Sequence, residues 1–215
     1  MRDQFGLFDS WLSPLGFRSS YSEDRSVFDP EALDQTDLLM LMGLDWSEMT
    51  ALESKHWPDP SQAKPYQPLS QKHRQSLLGY LAKGKPLFCH HSGLLSFDER
   101  KELQDIYDGR WIVGQSYHPE SHEFEVRVAS STHPVTRGLD HFKTTDELYT
   151  NLATPRHSEV LLQAQFQGKE NPQAWAGKYG SSKILCLTLG HDLKAYEPPM
   201  MRKFFTNAVQ WLVQK

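Results

Sequence analysis

Two short segments carry the side chains best suited to chemistry. Gly190-His191-Asp192 closes the apolar run that begins at Ile184, and His90-His91-Ser92-Gly93 closes another, Pro86–Cys89. An imidazole can accept or donate a proton near neutrality, hydrogen-bond a hydroxyl, or ligate a metal. A carboxylate beside it fixes its tautomer and raises its pKa. The alternative for His191-Asp192 is a strand-end cap, with Asp192 accepting backbone N–H groups of the next turn. For His91 the alternative is a histidine hydrogen-bonded for structure, and that alternative weighs more for His90. Adjacent residues at a strand end point in different directions, so His90 and His91 do not both serve one site.

Further candidates stand elsewhere in the chain. Tyr117-His118-Pro119 occupies a loop, and Asp146-Glu147-Leu148-Tyr149 pairs two carboxylates with a tyrosine. The two acids also suit the first turn of a helix, where negative charge meets the helix dipole. Cys89 precedes the histidine pair but has no flanking glycine, as a nucleophile elbow usually has, so it reads as a buried spectator. Cys89 and Cys186 lie far apart in apolar runs and suggest reduced thiols, with neither a metal-type pair nor a disulfide framework.

These groups need elements to hold them. Phe5, Phe8, Trp11, Leu12 and Leu15 have helical spacing over 3–15, ended by Pro14 and Gly16. The run at 37–43 reads as a buried parallel strand. Residues 44–69, with Trp46, Trp57, Tyr66 and several prolines, read as a long loop or lid whose aromatics reach the site. A helix should start near Ser70 and stop at Gly84, followed by a strand at 86–90. Ser96 and Glu99 suggest a capping box for a helix reaching Tyr107. Strands follow at 123–128 and 160–162, then a hairpin of 173–176 and 183–189, and an amphipathic helix from Phe204 to Leu212. Strands alternating with helices predict an α/β fold with a mostly parallel sheet, whose ligands gather beyond the carboxyl ends of the strands.

The totals set bounds. The chain has 215 residues, 38% of them hydrophobic, and a formal net charge of −4, so it predicts one domain over 1–215. Without a basic run, a nucleic-acid or anionic-membrane partner is not expected. The apolar runs are too short to span a bilayer, and Asp3 and Asp9 interrupt any signal-peptide core.

Taken together, His133-Pro134-Val135-Thr136, Gly138-Leu139, Asp146-Glu147-Leu148-Tyr149, Trp175, Tyr179-Gly180 and Gly190-His191-Asp192 resemble, in order and spacing, the trehalose-utilisation (ThuA-like) family. That family shares the flavodoxin-like, three-layer fold of class I glutamine amidotransferases. The resemblance makes His91 the family histidine of a Leu-His-Ser-Ala strand ending and matches His118 to a loop histidine. It does not imply glutaminase chemistry, because the amidotransferase cysteine is not kept as a working elbow. It also implies an apolar strand ahead of the first helix, which is missing here because the chain starts at that helix. The expected remedies are a start upstream of Met1, a strand borrowed from a partner chain, or a shift of the 37–43 strand toward the 86–90 strand.

The resemblance implies a cytoplasmic protein of carbohydrate metabolism acting on a sugar derivative, such as a 3-keto-disaccharide. The expected rim is His91, His118, Glu147 and His191 as acid/base groups, with Asp146, Tyr149, Asp192 and Trp46 binding substrate. Glu147 or His191 would be the base, and His118 or Tyr149 the hydrogen-bonding acid. Two rivals stand beside this reading. One is a metal-dependent enzyme in which His91, His118, Glu147 and His191 hold a divalent metal. The other is a non-catalytic sugar-sensing or interaction module. The expected partner is a small-molecule sugar, and a homo-oligomer stays open.

Overall fold

The computed structural model describes residues 2–47, 66–98 and 101–214. Most of the expected lid, including Trp57, lies outside these residues, as does Glu99 of the expected capping box.

Five α-helices are described: α1 (Arg2–Leu12), α2 (Pro30–Asp34), α3 (Gln71–Ala82), α4 (Lys101–Tyr107) and α5 (Pro199–Val213). The strands are β1 (Leu39–Leu41), β2 (Leu87–His90), β3 (His122–Val128), β4 (Phe142–Asp146), β5 (Glu159–Phe166), β6 (Lys169–Tyr179) and β7 (Ser182–Leu187). They form one seven-stranded sheet in the order β1-β2-β7-β6-β5-β3-β4.

The α/β layering agrees with the sequence reading, but the sheet is mixed rather than mostly parallel. Only β1–β2 and β2–β7 pair in parallel, and the other four pairings are antiparallel. The physical reason is connection length. β6 and β7 are joined by the tight turn Gly180-Ser181, with Gly180 at φ 58°, and a connection this short allows only a hairpin. β1 pairs directly with β2, Leu39 opposite Leu87. The strand at 37–43 therefore lies against the one at 86–90.

Alternation along the inner strands divides the core into two layers. Phe88, Leu185 and Leu187 face α1 and α5, in a cluster with Phe8, Trp11, Phe204 and Phe205. Leu87, Cys89, Ile184 and Cys186 face the other way, toward α3 and α4, with Leu77, Leu81, Leu103 and Ile106. Of the apolar stripe read over 3–15, Phe8, Trp11 and Leu12 are buried. Leu15 is exposed, because the α-helix gives way at Pro14 to the short 3-10 segment Ser13–Leu15. Phe8 stacks on Phe205 with ring centroids 4.1 Å apart, locking α1 to α5.

Helix ends follow local chemistry. The Ser70 hydroxyl accepts the N–H of His73 and starts α3. Ser96, expected to cap a helix, instead accepts the backbone N–H of Asp45 and donates to the Gly43 carbonyl, so it ties the loop after β1 to the turn after β2. The His133-Pro134-Val135-Thr136 segment is also architectural. The His133 ring accepts the N–H of Val135 and packs edge-on against Trp211 of α5. Asn207 of the same helix donates to the carbonyls of Val135 and Arg137.

Candidate functional site

The site lies where β2, β4 and β7 end. β2 runs into a 3-10 turn over His91–Leu95. His91 there has φ 46°, a left-handed backbone that a non-glycine residue rarely adopts. Gly93 makes the turn possible, since a Cβ on it would stand 2.3 Å from the Leu41 carbonyl oxygen. The elbow therefore centres on an imidazole two residues before a glycine, and Cys89 sits fully buried below it. Cys186 is equally buried, and burial pushes its thiol well above the usual range. Neither sulfur is at the site.

The His91 ring is fixed. Nδ1 donates to the Thr188 carbonyl at 2.6 Å, which leaves the Nε2 lone pair facing Tyr149 Oη at 3.3 Å and Glu147 Oε2 at 3.7 Å. Burial pushes the His91 pKa down to about 4, against the opposing pull of the Thr188 carbonyl and Glu147, so the ring is neutral at ordinary pH. Thr188 is itself held, because its hydroxyl donates to Gln173 Oε1 at 2.6 Å while Gln173 Nε2 donates to the Tyr149 carbonyl.

At the end of β4, successive side chains point to opposite sides. Asp146, expected to bind substrate, faces inward. Its Oδ2 accepts the Gly190 N–H at 2.6 Å, and its Oδ1 accepts those of His191 at 3.1 Å and Glu147 at 2.8 Å. Burial raises its pKa to about 6, with the three N–H bonds pulling it back down. The carboxylate is a strut between the ends of β4 and β7. Gly190 fits this strut because its φ is 118° and a Cβ would come within 2.1 Å of Tyr196 Oη. From α1, Gln4 Nε2 donates to the carbonyls of Gly190 (2.7 Å) and His191 (2.9 Å). His90 also turns inward and accepts the Tyr196 hydroxyl at 2.5 Å.

Glu147 points outward and is the hub. Its Oε2 lies 3.1 Å from His191 Nδ1, 3.6 Å from His118 Nε2 and 3.7 Å from His91 Nε2. Burial alone would raise the Glu147 pKa, but the His191 hydrogen bond and the positive charge that His118 and His191 can carry outweigh it and hold the carboxyl low. The same hydrogen bond raises the His191 pKa above its ordinary value, despite partial burial. Glu147 thus fills the role that Asp192 was expected to play as orienter of His191. Asp192 instead accepts the Lys194 N–H at 2.8 Å and caps the 3-10 turn Leu193–Tyr196.

His118 lies over the buried Tyr149 ring, with centroids 5.7 Å apart and planes 24° apart. Burial keeps the Tyr149 hydroxyl protonated, so it serves as a hydrogen-bond donor. Trp111 stands edge-on to Tyr149 at 5.1 Å. Beyond Trp111 a cavity of about 320 Å³ is lined by Trp46, Leu94, Leu95, Phe97 and Ile112 among others. Trp46, expected to bind substrate, is buried in the lining of this cavity together with Trp111. With side chains 48% and 37% exposed, His191 and His118 leave the cluster open to solvent.

The structure thus brings together His91, His118, Glu147, Tyr149 and His191, and it sends Asp146 and Asp192 to backbone roles. Trp111, Thr188 and Gln173 complete the surroundings and were not anticipated. Gln173 does leave a trace in the sequence, as the polar residue directly ahead of the apolar run Ala174-Trp175-Ala176 in β6. No helix among the described residues is long and apolar enough to cross a membrane.

Among solved structures, a protein from Parabacteroides merdae described as ThuA-like matches with a TM-score of 0.72 and 17% identity, over 98% of this chain and 85% of that one. A cytoplasmic protein from Salmonella typhimurium matches with a TM-score of 0.66 and 15% identity, over 96% and 85%. A protein from Thermoplasma acidophilum described as a GMP synthase subunit matches with a TM-score of 0.55 and 16% identity, over 94% and 84%, which is consistent with an amidotransferase-like fold. At these identities the likeness is one of fold. No curated protein sequence matches the chain. The profile of the ThuA family, described as trehalose utilisation, matches residues 4–212, and the chain belongs to that family.

Proposed function

We propose that the strand-end rim binds a sugar derivative and moves a proton on it, with a 3-keto-disaccharide as the substrate class. The observation that carries this reading is the single carboxylate oxygen of Glu147 ringed by three imidazole nitrogens at 3.1–3.7 Å. Family membership supports a role in carbohydrate metabolism linked to trehalose use.

The residues divide the work. Glu147, held ionised by its imidazole neighbours, is the base that takes a proton from a carbon beside the keto group or from a hydroxyl. Tyr149, which stays protonated, and the half-exposed His118 donate hydrogen bonds to the oxygen where negative charge develops. His191 fixes the Glu147 carboxylate and shares its charge. Neutral His91, pinned by Thr188, holds the Tyr149 phenol 3.3 Å from its Nε2 in the resting site, until the single O–H turns to the substrate oxygen. The half-buried Trp111 offers an aromatic face of the kind on which sugar rings stack. We place the protein in the cytoplasm, in line with the Salmonella relative of similar fold.

The test pairs a thermal-shift screen of disaccharides and their 3-keto forms with a turnover assay. Glu147→Gln should keep the fold and lower turnover by about 10²–10⁴-fold, the usual scale of one acid–base group. Binding without turnover would make the protein a sugar-sensing module. A native chain indifferent to every sugar in the screen would overturn the reading.

A further inference from the structure

We propose that His91, Glu147 and His191 bind a divalent transition-metal cation, through Nε2 of His91, Oε2 of Glu147 and Nδ1 of His191. The proposal deepens the sugar-site reading and rests on it for the position of the metal at the substrate rim; with the ion bound Glu147 is a ligand rather than the free base, and metal binding itself is measured without any sugar.

The first argument is spacing. Among the described residues, these three offer ligand atoms that all lie within 4.8 Å of one another. Nitrogen and oxygen ligands sit at ~2.0–2.2 Å from a zinc-sized ion, which at a tetrahedral angle puts them about 3.4 Å apart. The separations of Oε2 from the two imidazole nitrogens, 3.1 and 3.7 Å, bracket that value. A cation can therefore enter with little rearrangement of the side chains.

The second argument is the tautomer. A ligating imidazole normally donates its other ring N–H to a carbonyl or carboxylate, which orients the ring. His91 does this already, with Nδ1 on the Thr188 carbonyl and the Nε2 lone pair toward Glu147. The positive φ at His91 and the close approach of Gly93 to Leu41 hold this ring on rigid backbone. Asp146 anchors only the backbone of His191, through its N–H, and the His191 ring is turned by Glu147. The His91 donor is thus fixed before any ion arrives.

The third argument is the donor set. Two imidazoles and one carboxylate suit zinc or another late first-row ion better than magnesium or calcium, which prefer oxygen. Three protein ligands leave at least one position for a ligand oxygen. His118 falls outside the mutually close set. It approaches Glu147 from the open side, where with Tyr149 it can hydrogen-bond that oxygen.

The experiment uses the full chain, stripped with a chelator and titrated with Co²⁺ by absorption spectroscopy and with Zn²⁺ by calorimetry, with circular dichroism to check the fold. One equivalent should bind, with ligand-field bands of a low-coordinate site. Glu147→Gln and His191→Gln, both at the solvent-facing side of the cluster, should keep the native dichroism and weaken Co²⁺ by about 100-fold or more. His118→Gln should weaken it by less than about 10-fold. Absence of saturable binding in the native chain would overturn the proposal, as would native affinity in both Glu147→Gln and His191→Gln. Sugar binding by the stripped protein, alongside a failure to bind either ion, would sink the metal site and leave the sugar reading standing. Stoichiometric metal with no response to any sugar would do the reverse.

Discussion

Asp146 and Glu147 are chain neighbours that hold the same residue in two different ways. Asp146 accepts the backbone N–H of His191 at 3.1 Å from within the core, and Glu147 meets the His191 ring at 3.1 Å from the solvent side. The β pleat at the end of β4 makes this possible by sending the two carboxylates to opposite faces. One acid therefore sets where His191 stands, and the other sets how its ring is charged and turned.

Asp146→Asn should separate these roles. All three partners of Asp146 are backbone N–H donors, so an amide NH₂ in that place confronts a donor. The expected cost is about 1–3 kcal/mol, from buried groups left unpaired. Urea unfolding measures it, and a midpoint equal to that of the native chain would mean that the strut carries no stability. Glu147→Gln leaves these backbone bonds in place and should unfold near the native midpoint.

Much of this was written in the sequence, and the exceptions have physical reasons. The layering was legible because the continuous apolar runs of β2 and β7 and the helical stripes of α1 and α5 are local patterns. Strand direction was not, since the parallel or antiparallel pairing of β3, β4 and β5 is decided by tertiary partners rather than by each strand's own period. At the site, His91, His118, Glu147, Tyr149 and His191 announced themselves by residue type at strand ends and in a loop. The inward turn of Asp146 did not, because the orientation of a strand's last residue depends on the N–H groups waiting for it, here those of Gly190 and His191. The elbow at His91 was readable in principle. A strand-end cysteine invites comparison with a nucleophile, but Cys89 has no flanking glycine, whereas His91 is followed two residues later by Gly93. Thr188 acts through its backbone carbonyl, which no side-chain pattern reports.

Glycine substitutions give a sharp contrast. Gly6 and Gly79 lie in α1 and α3, and a Cβ at either meets nothing within 4 Å. Gly6→Ala and Gly79→Ala should each stabilise by about 0.5–1 kcal/mol, because alanine has less chain entropy to lose on entering a helix. Gly93→Ala should fail to fold, or lose several kcal/mol, since its Cβ would overlap the backbone oxygen of Leu41 in the adjacent strand. Thermal melts of the three variants decide it, and a native-like melting temperature for Gly93→Ala would refute the close approach.

Cys89→Ala tests the thiol as a spectator. Cys89 is fully buried in β2, opposite Cys186 of β7 and below Gly93. Removing its sulfur should cost about 1–3 kcal/mol of packing and leave sugar and metal affinity unchanged. Loss of binding or turnover in a variant that keeps its native dichroism would instead give the thiol a role in the chemistry.

The last prediction concerns acid. Asp108, in a left-handed conformation with φ 54°, accepts the N–H groups of Arg156 at 3.2 Å, His157 at 2.8 Å and Ser158 at 2.6 Å through its carboxylate. Ser158 is thereby held over Gly177 of β6, where a Cβ would come within 2.2 Å of the serine hydroxyl. Partial burial alone would raise the Asp108 pKa, but the N–H groups of His157, Arg156 and Ser158 prevail and hold it below the usual aspartate range. A carboxyl whose folded pKa lies below its unfolded value binds its proton more weakly when folded. Its contribution to stability is therefore complete above the unfolded pKa and is lost as pH falls through the folded one. Urea midpoints of the native chain and of Asp108→Asn should accordingly differ most above about pH 4 and converge as the pH is lowered toward about 2. A gap that stays constant across that range would show that the Asp108 charge contributes nothing to holding the 156–158 loop.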